Sequence, residues 1–454
     1  MRSLAIRGIV EKPASHQPPR SIVSDTTRRI VSPSLPSPSL PSTSGRATAT
    51  YRRSLCSANR HHPSTVAACS APELTAPHRT PAPSPPPLKK FDLVALSNLC
   101  VDIVVQMDQL PPADEPTRRA LLAQLTANPP PTSTWEVGGN TNTLIAASRL
   151  GLRAASIGHV GNDVYGHFLA DVLRKEGIMS IEPVATATTS STTNEQDATL
   201  LCFVLVTPDS QHAFCSRYDF GPWPLLSFVQ QVPKGVEAVL DSTAALFING
   251  FVFDEIPAGI VLQAAKRARD AGAAVFFDPG PRSWTFHDNG PRASALSAIL
   301  DVSDVVLMTE EEAEAVTGYS SAEKAARYVL DRPGGVTEWC VVKKGAEGAL
   351  LAARTPNTAV YEQQAIEVDV RDTVGCGDSF AAAVVLGYTR NHSIPAVMAL
   401  ASAVGAATAM GTGAGRNVAR AEDVFALLEG AAARCEDGRH STALEVLRAS
   451  IDAS

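Results

Sequence analysis

Short apolar runs alternate with amphipathic stretches along most of this chain, and the alternation begins abruptly near residue 91. Phe91-Asp-Leu-Val-Ala-Leu-Ser97 predicts a first buried strand, closed by Asn98 and Asp102. After the run 101–107 comes a polar, proline-broken insertion reaching Pro131, with a helical patch over 118–125. Gly138-Gly-Asn-Thr-Asn-Thr143 then opens a helix over 144–150. A second strand is predicted at 151–158, followed by a helix over 163–177 with Phe168, Leu169, Val172 and Leu173 as its apolar positions. From 185 to 220 the period changes to two, and the segments 199–206 and 212–215 read as a hairpin turning at Pro208-Asp-Ser210.

Beyond that hairpin, strand-like runs at 245–248, 275–278, 305–308 and 339–343 alternate with helices at 259–271, 293–300, 310–317 and 322–330. This rhythm predicts an α/β fold, a three-layer α/β/α arrangement with a mostly parallel central sheet and right-handed crossovers. In such sheets ligands sit beyond the C-terminal ends of the strands. Asn98, Gly138, Asp278, Thr309 and Gly345 all follow apolar runs, so they are expected along that edge.

One stretch carries chemistry of its own. Asp372-Thr-Val-Gly-Cys-Gly-Asp-Ser-Phe380 runs directly into the small-residue segment Ala381-Ala-Ala-Val-Val-Leu-Gly387. It reads as a glycine turn opening a buried helix. Gly375 and Gly377 let backbone N–H groups converge without a Cβ in the way, and the first helical turn adds its unpaired amides and positive dipole end. Together these make a receptor for an anion such as a phosphoryl group. A carboxylate there, Asp378, needs a purpose: accepting the proton of a substrate hydroxyl as it attacks phosphorus. The plain alternative is a helix-capping aspartate.

Composition divides the chain. The first 88 residues are rich in Ser, Pro, Thr and Arg and close on Pro81-Ala-Pro-Ser-Pro-Pro-Pro87, a stiff linker. Up to residue 70 they hold ten Lys/Arg against only Glu11 and Asp25. An Arg-rich, acid-poor N-terminus without an apolar core resembles an organelle transit peptide, plastid before mitochondrion, the alternative being a plain disordered tail. The net charge is −7 overall and +8 over residues 1–88, which leaves −15 for the remainder. So acidic a body argues against nucleic acid as a partner. No apolar run is long enough to span a bilayer, so no membrane association is expected. The eight cysteines contain no Cys-x-x-Cys pair and indicate neither a zinc site nor a disulfide framework.

With these pieces in order, the chain resembles the PfkB/ribokinase family of sugar and nucleoside kinases from about residue 91 to about 428. The resemblance rests on two signatures about 230 residues apart. Gly138-Gly139 precedes a helix and is followed by Arg149-Leu-Gly-Leu152 and Gly158-His-Val-Gly-Asn-Asp-Val-Tyr-Gly166; the Asp372–Phe380 stretch is the second. The resemblance implies an ATP-dependent carbohydrate kinase using Mg²⁺, with Asp378 as base and the amides of Gly375, Cys376 and Gly377 as anion hole. It implies a monovalent cation, K⁺, on the backbone carbonyl of Asp372. Asn98, Asp102, Gly139, Asn140 and Asn142 would meet the sugar-like substrate. The loop between Gly139 and Asn142 is shorter than is common in relatives, and a helix-cap role for Asn140 or Asn142 stays open.

The same resemblance makes Glu312 a Mg²⁺ residue acting through water, with Thr309 where relatives have Asn. Lys343, Gly345 and Gly348 would lie under the nucleotide, and Gly413, in Gly411-Thr-Gly-Ala-Gly415, beside the adenine. Arg282 would meet phosphate or pair with an acidic neighbour. Segments 103–137 and 184–222 would form a small β-strand lid over the sugar, with exposed edges through which a homodimer could pair. The kinase domain is expected over 89–430, followed by a C-terminal helical tail over 431–454. A nucleoside kinase on the same scaffold, and a catalytically silent relative serving as a plastid scaffold or regulator, are the alternative functions.

Overall fold

The computed structural model describes residues 89–112, 114–182, 198–208, 212–227, 229–286, 292–355, 358–435 and 437–454. All fall in the compact unit Leu74–Ser454. The expected transit peptide and linker over 1–88 lie outside the described residues, as do the lid residues 184–197 and the turn residues 209–211.

The strands, in chain order, are β1 (Leu93–Leu96), β2 (Cys100–Gln106), β3 (Trp135–Gly138), β4 (Ala154–Ile157), β5 (Met179–Ile181), β6 (Leu200–Val206) and β7 (His212–Ser216). They continue as β8 (Ala245–Asn249), β9 (Ala274–Asp278), β10 (Val305–Thr309), β11 (Trp339–Lys343), β12 (Ala349–Ala353) and β13 (Ala359–Gln363). Among the described residues nine form one sheet in the order β13-β12-β11-β10-β9-β8-β1-β4-β5. Pairing is parallel from β11 across to β5 and antiparallel for β11-β12-β13. The mostly parallel α/β sheet expected from the βαβ rhythm is therefore the observed one.

Burial on both faces explains why these strands read as continuous apolar runs instead of alternating ones. Leu93 and Ala95 point into one core and Val94 and Leu96 into the other, each almost fully buried. The first core is covered by the helices Thr141–Arg149, Cys376–Thr389 and Ile394–Ala409. The second is covered by Ala258–Asp270, Ala293–Leu300, Glu310–Thr317 and Ala322–Leu330. The expected C-terminal helix spans Arg439–Asp452, and it is built into the first core by Ala443, Val446 and Leu447.

The lid is a second, four-stranded sheet in the order β3-β2-β6-β7. It starts at Cys100, earlier than the expected position 103, because β2 leaves the main sheet almost directly after β1. Its packed face carries Val101, Ile103, Trp135, Val137, Leu201, Phe203 and Leu205. The opposite face carries Asp102, Glu136 and Cys202, which lie in register across neighbouring strands.

The helix Cys376–Thr389 lies against Ile394–Ala409 so closely that a Cβ on Gly387 would sit 2.2 Å from Val397 Cγ2. Gly387→Val should therefore cost about 1–3 kcal/mol by overpacking. In denaturant titration the midpoint should fall while the m-value stays constant.

Candidate active site

Strand order places β1 between β4 on one side and β8 on the other, so the chain's crossovers diverge from the β1/β8 boundary. That boundary is where an open α/β sheet leaves a crevice. Asn98, just beyond β1, and Asn249, ending β8, bridge it: Asn249 Nδ2 donates to Asn98 Oδ1 at 2.9 Å. Asn98 Oδ1 also accepts from the Asn140 amide at 3.2 Å. The Asn140 side chain is fully buried and donates to the Leu96 carbonyl at 2.7 Å. Asn98 and Asn140 thus brace the front glycine turn from below. Gly139 makes that bracing geometrically feasible, since at φ +64° a Cβ would lie 2.1 Å from the Asn98 carbonyl oxygen.

Asp378 sits in the first turn of Cys376–Thr389, behind Gly375 at φ +81°. No side-chain cap closes this helix end, and the Cys376 amide donates only to the Thr373 carbonyl, at a long 3.3 Å that a ligand oxygen can displace. The carboxylate is half-buried and caps nothing. It accepts instead from Asn142 Nδ2 at 3.0 Å and from Thr143 Oγ1 at 3.3 Å. Neither Asn140 nor Asn142 makes a side-chain capping bond to its own helix. Asn142 spends its other end on the Gly415 amide, which donates to Oδ1 at 2.8 Å.

Burial pushes the Asp378 carboxyl up to about 6, opposed by the Asn142 and Thr143 hydrogen bonds and by Lys343, and aided by Asp278. A base in that range is deprotonated near neutral pH yet still a useful proton acceptor. Burial also pushes Asp102 up to about 7, opposed by thiol donation from Cys100 and Cys202 and aided by the charges of Glu136 and Asp378. Its carboxylate presses against the glycine turn: a Cβ on Gly138 would fall 2.2 Å from Asp102 Oδ1.

Lys343, at the end of β11, reaches Asp278 Oδ2 at 2.8 Å. Burial alone would lower its pKa, but Asp278 and Glu312 outweigh that and hold the ammonium charged. The Cβ position of Gly377 lies 3.4 Å from Lys343 Nζ, which places the ammonium beside the helix end. Glu312 closes a capping box with Thr309, accepting its amide at 2.7 Å while Thr309 Oγ1 accepts the Glu312 amide at 3.3 Å. Burial and the Asp278 charge raise the Glu312 carboxyl, whereas Glu310 and Glu311 are exposed.

The remaining expected residues flank this centre. Gly345 and Gly348 turn the chain between β11 and β12 at φ +57° and +90°, and a Cβ on Gly348 would strike the Gln363 carbonyl. The Gly413 amide donates to Asp372 Oδ2 at 2.8 Å, and the Val374 amide to Asp372 Oδ1 at 3.0 Å. Asp372 therefore ties the 411–415 loop to the glycine turn that precedes Asp378. Cys376 is half-buried with its thiol pushed up to about 12 by burial, which leaves it protonated and unreactive. Arg282 pairs with its acidic neighbour, with Nε 2.7 Å from Asp254 Oδ2.

Sequence reasoning missed Thr143 and Glu136 as partners of the site. Thr143 stands one position beyond the singled-out Asn142, and a 3.6-residue period gives no hint that both would face Asp378. Glu136 falls inside an insertion whose third strand, β3, the composition did not predict. Asp278 was expected at the sheet edge but its pairing with Lys343 was not.

Comparison with known proteins agrees with this architecture. A family model described as pfkB family carbohydrate kinase matches residues 95–420. The 5-dehydro-2-deoxygluconokinase of Bacillus subtilis is 24% identical over 75% of this chain and 97% of its own. Fructokinase-1 of Oryza sativa is 28% identical over 65% and 88%. Among solved structures, Arabidopsis thaliana ribokinase complexed with ribose and ATP superimposes with a TM-score of 0.56 at 20% identity, over 74% of this chain and 98% of that one. An Escherichia coli protein described as a ribokinase II in complex with ATP and Mg²⁺ gives 0.58 at 20% identity, over 75% and 99%. With residues 95–420 matched, the chain belongs to the pfkB family of carbohydrate kinases: it is an enzyme that transfers a phosphoryl group from ATP to a hydroxyl of a sugar or sugar-like molecule.

Proposed function

We propose that Asp378 is the general base of this transfer and that the amides of Gly375, Cys376 and Gly377 form the anion hole for the moving phosphoryl group. The observation that carries the reading is the Asp378 carboxylate at an uncapped helix start, held by Asn142 and Thr143 and tuned to about 6. Asp378 takes the proton of the acceptor hydroxyl as its oxygen bonds phosphorus and the bond to the ADP oxygen breaks. The amides and Lys343 bear the charge that spreads over the phosphoryl oxygens.

Asp102 accepts hydroxyl protons of the acceptor, beside Asn98 and the Gly138-Gly139 turn. The Glu136 and Asp378 charges already raise the Asp102 carboxyl, so a further carboxylate there is disfavoured and a neutral polyhydroxy acceptor suits the site better than a sugar acid. The nucleotide lies over Gly345 and Gly348, with its adenine near Gly413.

Buried Asp278 and Glu312 face a single ammonium, an oxygen-donor surplus that suits Mg²⁺. Asp278 and Glu312, the latter through water, would hold that ion. When bound, it neutralises charge on the phosphates. The Asp372 carbonyl, on a turn anchored at both carboxylate oxygens, is the proposed K⁺ ligand. The lid over the acceptor excludes water that would otherwise take the phosphoryl group. Pairing of lid edges between two copies, and plastid import directed by residues 1–88, belong to the same proposal.

Asp378→Asn should retain ATP binding and lose about 10²–10⁴-fold in kcat; unchanged kcat in an ADP-release assay defeats the assignment. That assay, run over neutral sugars, polyols, sugar acids and nucleosides, also separates the acceptor classes. Turnover on nucleosides alone identifies a nucleoside kinase, and ATP binding without turnover on any acceptor identifies a silent relative.

An accepted hydrogen bond stabilises a carboxylate, so its removal raises the pKa. In Thr143→Val the acid limb of kcat/KM, expected near pH 6 in the native enzyme, should move to higher pH. A limb that stays in place refutes the role given to Thr143. A fluorescent protein fused after residue 88 should accumulate in plastids; a cytosolic signal rejects the targeting reading.

A further inference from the structure

We propose that Glu136 and Arg416 are a positioning pair that couples the acceptor-side lid to the catalytic base through the 411–417 loop. The proposal rests on the reading of Asp378 as base.

The chain of contacts is continuous. Glu136 stands on lid strand β3 directly opposite Asp102 on β2, so the two side chains share one face of the lid sheet. Its carboxylate does not stay within the lid. Oε1 accepts from the Arg416 amide at 3.0 Å and from Arg416 Nε at 3.0 Å, and Oε2 lies 3.1 Å from the same Nε. Arg416 Nη2 donates to the Trp135 carbonyl at 3.0 Å, and its guanidinium lies 5.4 Å over the Phe168 ring. The neighbouring Gly415, at φ +62°, is packed so tightly on Glu136 that a Cβ would fall 2.5 Å from its Cγ.

From Gly415 the contacts pass inward. Its amide donates to Asn142 Oδ1 at 2.8 Å, and Asn142 Nδ2 donates to Asp378 Oδ2 at 3.0 Å. A carboxamide has one acceptor end and one donor end. The Gly415 amide, by claiming the oxygen, turns the NH₂ toward Asp378. The same loop, through the Gly413 amide, holds Asp372 in front of Gly375. One lid carboxylate therefore anchors the loop that orients the partner of the base.

An isolated exposed Arg–Glu pair contributes little. This one differs because Glu136 also receives two backbone amides, those of Val137 and Arg416. Arg149, on the Arg416 carbonyl at 3.0 Å, and Asp372, on the Gly413 amide, are the loop's other anchors, so loss of Glu136 loosens the loop at Gly415 and weakens the Asn142 contact to Asp378. The groups facing Asp378 are Asn142 and Thr143 from one helix, Asp278 from β9 and Lys343 from β11, with Asp102 on the lid within electrostatic reach. Of these contacts only the Asn142 one runs through the loop.

The test compares Glu136→Gln, Arg416→Gln, the double variant and the exchanged pair Glu136→Arg/Arg416→Glu in the full chain. Each is first checked for ATP-dependent thermal stabilisation as evidence of folding. Each single variant should lower kcat about tenfold with the KM for ATP little changed, and should shift the acid limb of kcat to higher pH. The double variant should be no worse than either single one, since both break one link. The exchanged pair should recover part of kcat. Additive losses, or a defect confined to the KM for the acceptor with an unmoved acid limb, overturn the coupling. If Asp378→Asn retains full turnover, the base reading has failed instead, and that result is separate from these.

Discussion

Among the described residues one ammonium, that of Lys343, faces the carboxylates of Asp278 at the end of β9 and of Glu312 and Asp378 in the first turns of their helices. That imbalance is the constraint on which the site depends. Lys343 ion-pairs directly with Asp278 at 2.8 Å, and the other two carboxyls rise chiefly because they are buried, with the Asp278 charge adding to the shift and Lys343 opposing it. Such a surplus favours whatever neutralises it, in the proposed mechanism a metal–nucleotide complex and a proton taken from the acceptor. The fold supplies the rigidity: Lys343 and Asp278 end buried strands, Glu312 is locked in a capping box, and Asp378 starts a helix buried along its whole inner length.

The glycines mark where backbone must pass close to this charge. Gly138 yields to the Asp102 carboxylate, Gly139 to the Asn98 carbonyl and Gly415 to Glu136. They lie on two separate segments yet serve one enclosure, shared between the lid sheet and the main sheet.

Much of this was legible in the sequence where local chemistry decides structure. The buried parallel strands announce themselves as apolar runs because both faces are covered, and helices such as Glu310–Thr317 and Ala322–Leu330 fall where period and caps place them. The Asp372–Phe380 turn was readable because two glycines before a small-residue helix have few other uses. What was not legible depends on distant pairing. β3 and the antiparallel strands β12 and β13 are short and acquire their identity from neighbours. Asn140 read as a substrate contact, yet its side chain is fully buried against the Leu96 carbonyl, a partner 44 residues away. The Glu136–Arg416 link joins positions 280 apart, beyond any local pattern.

The account stands or falls on the state of one carboxylate. Carbon-13 NMR titration of the aspartate carboxyls in the folded protein, with Asp378→Asn to assign the resonance, measures it without any substrate. Asp378 should titrate with a midpoint near 6. A midpoint at or below the ordinary aspartate value of about 3.9 would contradict it.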